Sequence, residues 1–419
     1  MKLPLHDVAD LNLAEAGEAR IAWADAQMPV LRSIRDRFEA EKPLDGLRVA
    51  VCLHVTAETA NLVRGLRAGG AAVAVCSANP LSTQDDVAAA LVVGHGAAVH
   101  ARRGEDLAAY TAHVQALVAG APHITLDDGA DLLSVLHGVP TGLPEGFLGG
   151  TEETTSGLVR LRALQEKGDL ACPVIAVNEA RTERLFNDHY GTGQSTWDGI
   201  LRATNLLLAG RTVVILGYGF TGKGIALRAR GAGAQVIVCE VDPMRALEAR
   251  MEGFGVMPAL EAAARGEIFV TVTGAPSVLT AEHFAVMNDG AVLANAGHFD
   301  VEIDLAALQA ASKGGVREVL PLVTQYELEP GRRLNLLAAG RVVNLAAGQG
   351  HPAAVMDMSF ANQALAAEHL AQVDGTLTAG VHPVPDAIDR EVARLKLASL
   401  GVEIDTLTDA QQDYLHSWS

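Results

Sequence analysis

Aromatic residues are scarce, only 4% of a 419-residue chain. That is too few for the stacking platforms that hold single-stranded nucleic acid. Positive charge is also short, with 32 Lys and Arg against 50 Asp and Glu and a net charge of −18. Such a surface repels polyanions, so neither nucleic acid nor an anionic membrane is an expected partner. It does not exclude one small anionic cofactor held by backbone amides. No run of about 20 apolar residues is present, so no transmembrane helix is expected. Met1–Leu13 lacks a basic stretch followed by an apolar core, so no signal peptide is expected and a cytoplasmic location follows. The four cysteines, Cys52, Cys76, Cys172 and Cys239, form no CxxC pair and no metal-spaced cluster with histidine. They read as buried reduced thiols, and no metal is expected. Proline is sparse beside glycine, 16 against 42, which suits tight βα turns more than a Pro-rich linker.

Hydrophobic residues make up 49% of the chain, enough for a large core. The length implies two or three domains. Residues 14–40 read as helical. Short apolar runs then alternate with helical patterns: strands at 47–53, 71–76, 97–100 and 123–126, helices at 57–68, 84–93 and 105–118. This order predicts a parallel sheet with helices on both faces. A second block begins with a helix over 195–208. Strands follow at 212–216, 235–239, 268–272 and 291–294. The expected fold is α/β, with two doubly wound parallel-sheet domains of the Rossmann type and a small C-terminal segment containing a helix at 359–369. No repeat and no low-complexity tract is evident.

Gly217-Tyr218-Gly219-Phe220-Thr221-Gly222 is a GxGxxG in the right setting. The strand TVVIL precedes it, a helix from Lys223 follows, and the next strand ends at Glu240. Gly217 makes the tight turn, Gly219 admits a pyrophosphate close to the backbone, and Gly222 packs helix on strand. Glu240 would accept from ribose hydroxyls and repel a 2′-phosphate, which favours NAD over NADP, although Arg245 nearby weakens that preference. The first block has no such fingerprint. Its strands end instead in polar residues, His54 and Thr56, Ser77 and Asn79, Asp127 and Asp128, with Asn178 after a later run. Ligands of open α/β sheets bind at strand carboxyl ends, so these mark a substrate pocket.

Several segments in order resemble the S-adenosyl-L-homocysteine hydrolase family: CLHVTAET (52–59), SANPLSTQDD (77–86), LDDGAD (126–131), EETTSG (152–157), YGTGQSTWDGILRATN (190–205), GYGFTGKG (217–224), NAGHFDVEID (295–304), GRVVNL (340–345) and GHPAAVM (350–356). The resemblance covers nearly the whole chain. It implies a substrate domain from residues 1–185 and 350–390, an NAD domain from 190–345, and an oligomerisation segment at 391–419. A homodimer or homotetramer is expected. It also implies a reaction in which NAD oxidises the ribose 3′-hydroxyl. The 5′ thiol of a nucleoside thioether is then eliminated to a 3′-keto-4′,5′-ene, water adds at C5′, and the ketone is reduced again.

The resemblance further assigns residues. His54, Asp128 and His298 match groups around the 5′ leaving group, and Glu153 matches a carboxylate on the ribose hydroxyls. Thr56, Glu58 and Thr59 match the segment that holds adenine, and His351 and Met356 the loop that closes over the base. Thr154, Thr155, Ser156, Asn178, Asn295 and Asn344 match cofactor contacts, beside Gly217, Gly219, Gly222 and Glu240. One segment departs. The family pattern is close to N-D-x-x-T-K-x-x-F-D-N, and here Glu183 stands for its lysine and Asn187-Asp188 for its Asp-Asn pair. Glu183 and Asn187 thus fall at catalytic positions and Asp188 at a cofactor position. Exchanging a cation for a carboxylate shifts the local charge by two units. A carboxylate still accepts a hydroxyl proton, so oxidation remains open. The expected function is an adenosylhomocysteinase-like enzyme. One alternative is a relative in which another nucleophile, such as carbon, adds at C5′. A second is an NAD-binding regulator without catalysis.

Overall fold

The protein is described from a computed structural model, covering residues 6–139, 142–298, 300–373 and 375–417. Two sheets are present. The first has seven strands: β1 (Arg48–Cys52), β2 (Ala72–Cys76), β3 (Ala98–His100), β4 (Ile124–Asp127), β5 (Gly149–Glu152), β6 (Pro173–Ala176) and β15 (Gly380–Pro383). Their order is β15-β6-β5-β4-β1-β2-β3, and every pairing is parallel. The second has eight: β7 (Thr212–Leu216), β8 (Gln235–Cys239), β9 (Gly255–Val256), β10 (Ile268–Thr271), β11 (Ala291–Asn295), β12 (Gly315–Leu320), β13 (Val323–Glu329) and β14 (Arg332–Leu337). Their order is β12-β13-β14-β11-β10-β7-β8-β9. The doubly wound expectation holds for both sheets. β12, β13 and β14 were not foreseen; they form an antiparallel meander whose last strand joins β11 in parallel.

Strand order reverses between β1 and β4 in the first sheet and between β7 and β10 in the second. Loops leaving two such neighbours diverge to opposite faces and open a crevice at the carboxyl ends. The sequence exploits both places. His54 follows β1 and Asp128 follows β4, while the glycine turn follows β7. The chain crosses between the sheets through residues 177–204 and returns through 338–352, and both crossings border the site.

Two expected helices shift. The stretch 14–40 is two helices, Ala14–Asp25 and Pro29–Glu41, because Pro29 opens the second at a position where its missing N–H costs nothing. The helix expected at 359–369 runs from Ala353 to Val373 and is buried along most of its length. All four cysteines are buried and unpaired. Among the described residues, no helix is long and apolar enough to cross a membrane.

The long helix is tied down by Asp357, which is fully buried. Its carboxylate accepts from Leu31 N (2.8 Å) and Val30 N (3.3 Å) at the start of one helix, and from Lys396 Nζ (2.8 Å) on the helix Asp386–Ser399. Three helices therefore meet at one charge. Removing one partner of a buried pair costs about 3–5 kcal/mol, because the other is left uncompensated. Asp357→Ala is expected to lower the denaturant midpoint by a shift of that size with the slope unchanged. A midpoint equal to the parent's would show that the tie is dispensable.

Candidate active site

Of the residues expected at the site, all but Gly222 and Asn295 line one cavity of about 1460 Å³ between the sheets. The exceptions support it from behind. A Cβ at Gly222 would lie 2.1 Å from the Gly217 carbonyl oxygen, so this position packs the helix Phe220–Gly231 onto the turn. Asn295 is buried at the end of β11. Its amide donates to the carbonyls of Gly297 (3.2 Å) and Gly340 (3.0 Å), and its oxygen accepts from Gly297 N (2.9 Å), which shapes the loop carrying His298.

At the switch point of the first sheet, His54 is gripped on both ring nitrogens. Nε2 lies 3.2 Å from Asp128 Oδ2, and Nδ1 lies 2.7 Å from Ser82 Oγ. Thr59 donates its hydroxyl to the His54 carbonyl at 2.5 Å. Burial pushes the imidazole below its usual range, and nearby His298 adds to this against the pull of Asp128. The ring is therefore held toward its neutral form, able to accept a proton. The turn after Asp128 is left-handed at both Gly129 (φ 115°) and Ala130 (φ 62°). A Cβ on Gly129 would lie 3.7 Å from His298 Nε2, so a histidine from the second sheet lies against the turn that follows Asp128. Beneath the turn, Glu152 Oε1 accepts from Gly129 N (2.8 Å) and Thr154 N (3.0 Å), holding the Asp128 and Glu153 backbones together.

The segment that departs from the family pattern is a π-helix, Glu183–Gly191. Thr192 N–H closes it onto Asn187 O, five residues back. Wide turns of this kind concentrate at functional sites. Here they place Glu183 and Asn187 on one face. Glu183 is 1% exposed. Asn187 Nδ2 donates to its Oε1, while Asn187 Oδ1 accepts from His351 Nδ1 at 2.7 Å. His351 Nε2 then faces Thr192 Oγ1 at 3.0 Å. The changes at 183 and 187 therefore compensate each other. An aspartate at 187 would bring only acceptors to a buried carboxyl, whereas the amide supplies the donor that Glu183 needs.

Glu153 is held by donors from Ser359 and Gln363, four residues apart on the long helix. Burial pushes its carboxyl up to about 7, with Asp128 and Asp188 adding to the rise. Burial also pushes Asp188 up to about 7, against the pull of Arg184. Glu183 is driven well above the carboxylate range by burial, then by Glu153 and Asp188. Burial pushes His351 down to about 4. Ser82, Ser359, Gln363 and Thr192 are the site partners that sequence reasoning missed. The 359/363 spacing on an expected helix was the one readable signal.

The far end of the cavity fits a dinucleotide. Gly217 has φ 107° and a Cβ there would lie 2.9 Å from Val272 O, while a Cβ on Gly219 would meet only Arg245 at 3.8 Å and otherwise faces open space. Glu240 is fixed by the N–H groups of Tyr218 (2.7 Å), Val241 (2.7 Å) and Asp242 (3.1 Å), and Arg245 is drawn aside by Asp242 at 3.6 Å. Ser156 Oγ and Asn344 Oδ1 are buried without a partner, both on residues of the wall. Such atoms are open to a hydrogen bond from a ligand group or an ordered water. Asn178 Oδ1 accepts from Thr155 Oγ1 at 2.9 Å, at the start of the helix Thr155–Glu166. Thr56, Glu58 and Met356 complete the opposite end.

Residues 188–350 match the family described as S-adenosyl-L-homocysteine hydrolase, NAD binding domain, and residues 5–145 match S-adenosyl-L-homocysteine hydrolase. The adenosylhomocysteinase of Aquifex aeolicus (strain VF5) is 58% identical over 414 residues, covering 98% of this chain and 98% of its own. That of Thermosynechococcus vestitus is 56% identical over 414 residues, covering 99% and 96%. The S-inosyl-L-homocysteine hydrolase of Methanosarcina acetivorans is 54% identical over 411 residues, covering 98% and 99%.

The two glycines give separable effects. Gly219→Ala adds a methyl group that the protein itself accommodates, so folding is expected to be intact and dinucleotide affinity reduced about tenfold or more. Gly222→Ala forces a backbone clash, so thermal stability of the cofactor-free protein is expected to fall. Equal melting temperatures for both variants would contradict this division.

Proposed function

The chain belongs to the S-adenosyl-L-homocysteine hydrolase family and takes NAD as its cofactor, and from that premise we propose that it cleaves the 5′ thioether of S-adenosylhomocysteine, or of a close nucleoside, by way of a 3′-keto sugar. Bound NAD supplies a two-electron acceptor that returns its electrons at the end of the cycle. Residues 190–345 hold it, residues 1–185 and 350–390 hold the nucleoside, and residues 391–419 serve assembly. Glu183 takes the 3′-hydroxyl proton, through the oxygen that lacks a partner in the chain. Glu153, steadied by Ser359 and Gln363, orients the sugar diol. Asp128 and His54 accept the proton that the ketone loosens at C4′, and His298 covers the departing sulfur. Glu58 accepts from the base. The relative that acts on an inosyl compound leaves adenine and hypoxanthine both open for that end.

One observation carries the reading. The His54–Asp128 pair, the Glu153–Glu183 carboxyls and the glycine turn all face a single cavity, so sugar and cofactor have a common place to react. The exchange of a lysine for Glu183 favours, as a second reading, a relative in which a nucleophile other than water adds at C5′.

Free thiol released from S-adenosylhomocysteine by the NAD-loaded protein tests the first reading, and absence of release would count against it. Glu183→Gln is expected to slow release by about 10²–10⁴, the usual contribution of a positioned base. The base must be ionised, and burial, with Glu153 and Asp188 beside it, holds the Glu183 carboxyl well above the usual carboxylate range. Thiol release is therefore expected to rise with pH above that range, and a rate that falls with pH there would contradict the assignment.

A further inference from the structure

Three neighbouring strands of the first sheet stand in the order β4-β1-β2. Past their carboxyl ends they bring three polar side chains into one row: Asp128 after β4, His54 after β1 and Ser82 on the loop that leaves β2. Ser82 is buried, and its Oγ lies 2.7 Å from His54 Nδ1. The loop does not need that hydroxyl to close its own turn. Ser82 N donates to Asn79 O at 3.1 Å, and Leu81 N to Asn79 Oδ1 at 2.9 Å. Ser77 Oγ donates to Asn79 O at 2.7 Å. Both lone pairs of that carbonyl thus have donors before Ser82 Oγ, at 2.9 Å, is counted. The Ser82 hydrogen is left free to turn toward the histidine.

We propose that Ser82 is a positioning residue that sets the tautomer of His54, donating its hydroxyl to Nδ1 so that the ring proton stands on Nε2, facing Asp128. A neutral imidazole has one N–H and one lone pair, and a carboxylate oxygen only accepts. Nε2 lies 3.2 Å from Asp128 Oδ2, so the ring proton belongs on Nε2. Nδ1 keeps the lone pair, and the hydrogen of its 2.7 Å contact comes from Ser82. The other tautomer would set two lone pairs against each other between His54 and Asp128. Burial, which holds the ring below its usual range, favours the neutral form on which this depends. Within the pair assigned to the C4′ proton, Asp128 is then the acceptor. His54 is the donor that keeps it ionised until that proton arrives, through a charge-assisted bond. Ser82 is not among the residues of the main cavity wall, so it acts through the ring alone.

The catalytic part of this assignment rests on the nucleoside reading above, and two measurements separate them. The first is a nitrogen NMR spectrum of the NAD-loaded protein carrying ring-¹⁵N histidine, with the His54 signals identified by their loss in His54→Asn. A proton on Nε2 and none on Nδ1 is expected, and a proton on Nδ1 would overturn the proposal. In Ser82→Ala part of the population is expected to move its proton to Nδ1, and an unchanged spectrum would also overturn it. The second is exchange of the 4′ hydrogen of adenosine in deuterated water. Ser82→Ala is expected to slow it about tenfold, the worth of one hydrogen bond, with adenosine affinity unchanged. Ser82→Thr keeps the hydroxyl and is expected to recover the rate. A loss confined to adenosine affinity, or a Ser82→Thr no faster than Ser82→Ala, would show a packing role and overturn the proposal. A parent that binds adenosine without exchange would sink the nucleoside reading, while its ring spectrum would still decide the tautomer.

Discussion

A carboxyl buried to the degree of Glu183 needs a donor, and the Asn187 amide provides it. An unsatisfied buried polar group costs about 1–3 kcal/mol, and more when charged. The same amide reaches His351 with its oxygen, and His351 reaches Thr192. One hydrogen-bonded chain thus joins the segment leaving the first sheet to the loop returning from the second. A change at one of these positions therefore calls for an answering change at its partner, as the paired departures Glu183 and Asn187 show.

The fold brings that chain to the chemistry. Each sheet reverses its strand order once, and both reversals open toward the same space. His54 and Asp128 emerge from adjacent strands whose ends are in register, Cys52 beside Asp127. Their distance is therefore set by strand spacing rather than by a long loop, a geometry that rigid elements hold well. His298 arrives from the other sheet, on a loop pinned by Asn295. Acid–base groups on the first sheet and a cofactor turn on the second become one site only when the two sheets face each other.

Much of this was legible in the sequence. β1, β2, β7, β8 and β10 are apolar runs between helical patterns, and the glycine turn sits where its neighbours require it. The glycine motif and the resemblance together supplied 20 of the 50 described residues of the wall. What escaped had weak or misleading local signals. β5 reads Gly-Gly-Thr-Glu, with no apolar alternation, because space rules there: a Cβ on Gly149 would lie 2.6 Å from Pro173 O and one on Gly150 2.5 Å from Thr125 Oγ1. The π-helix has a helical composition but a pitch fixed by what Glu183 and Asn187 must reach. β12 is exposed along its whole length, so burial could not mark it. The partners of Glu153 lie more than 200 residues away in sequence, beyond any local pattern.

The account depends on a sugar whose C3′ is oxidised while three acids, and no lysine, surround it. Oxidation at C3′ loosens the hydrogen at C4′, and that event precedes any choice of leaving group or nucleophile. Adenosine held by the NAD-loaded protein in deuterated water reads it directly by NMR. The account predicts that the 4′ hydrogen exchanges for deuterium while the nucleoside is recovered intact. Adenosine that binds and keeps its 4′ hydrogen would contradict it.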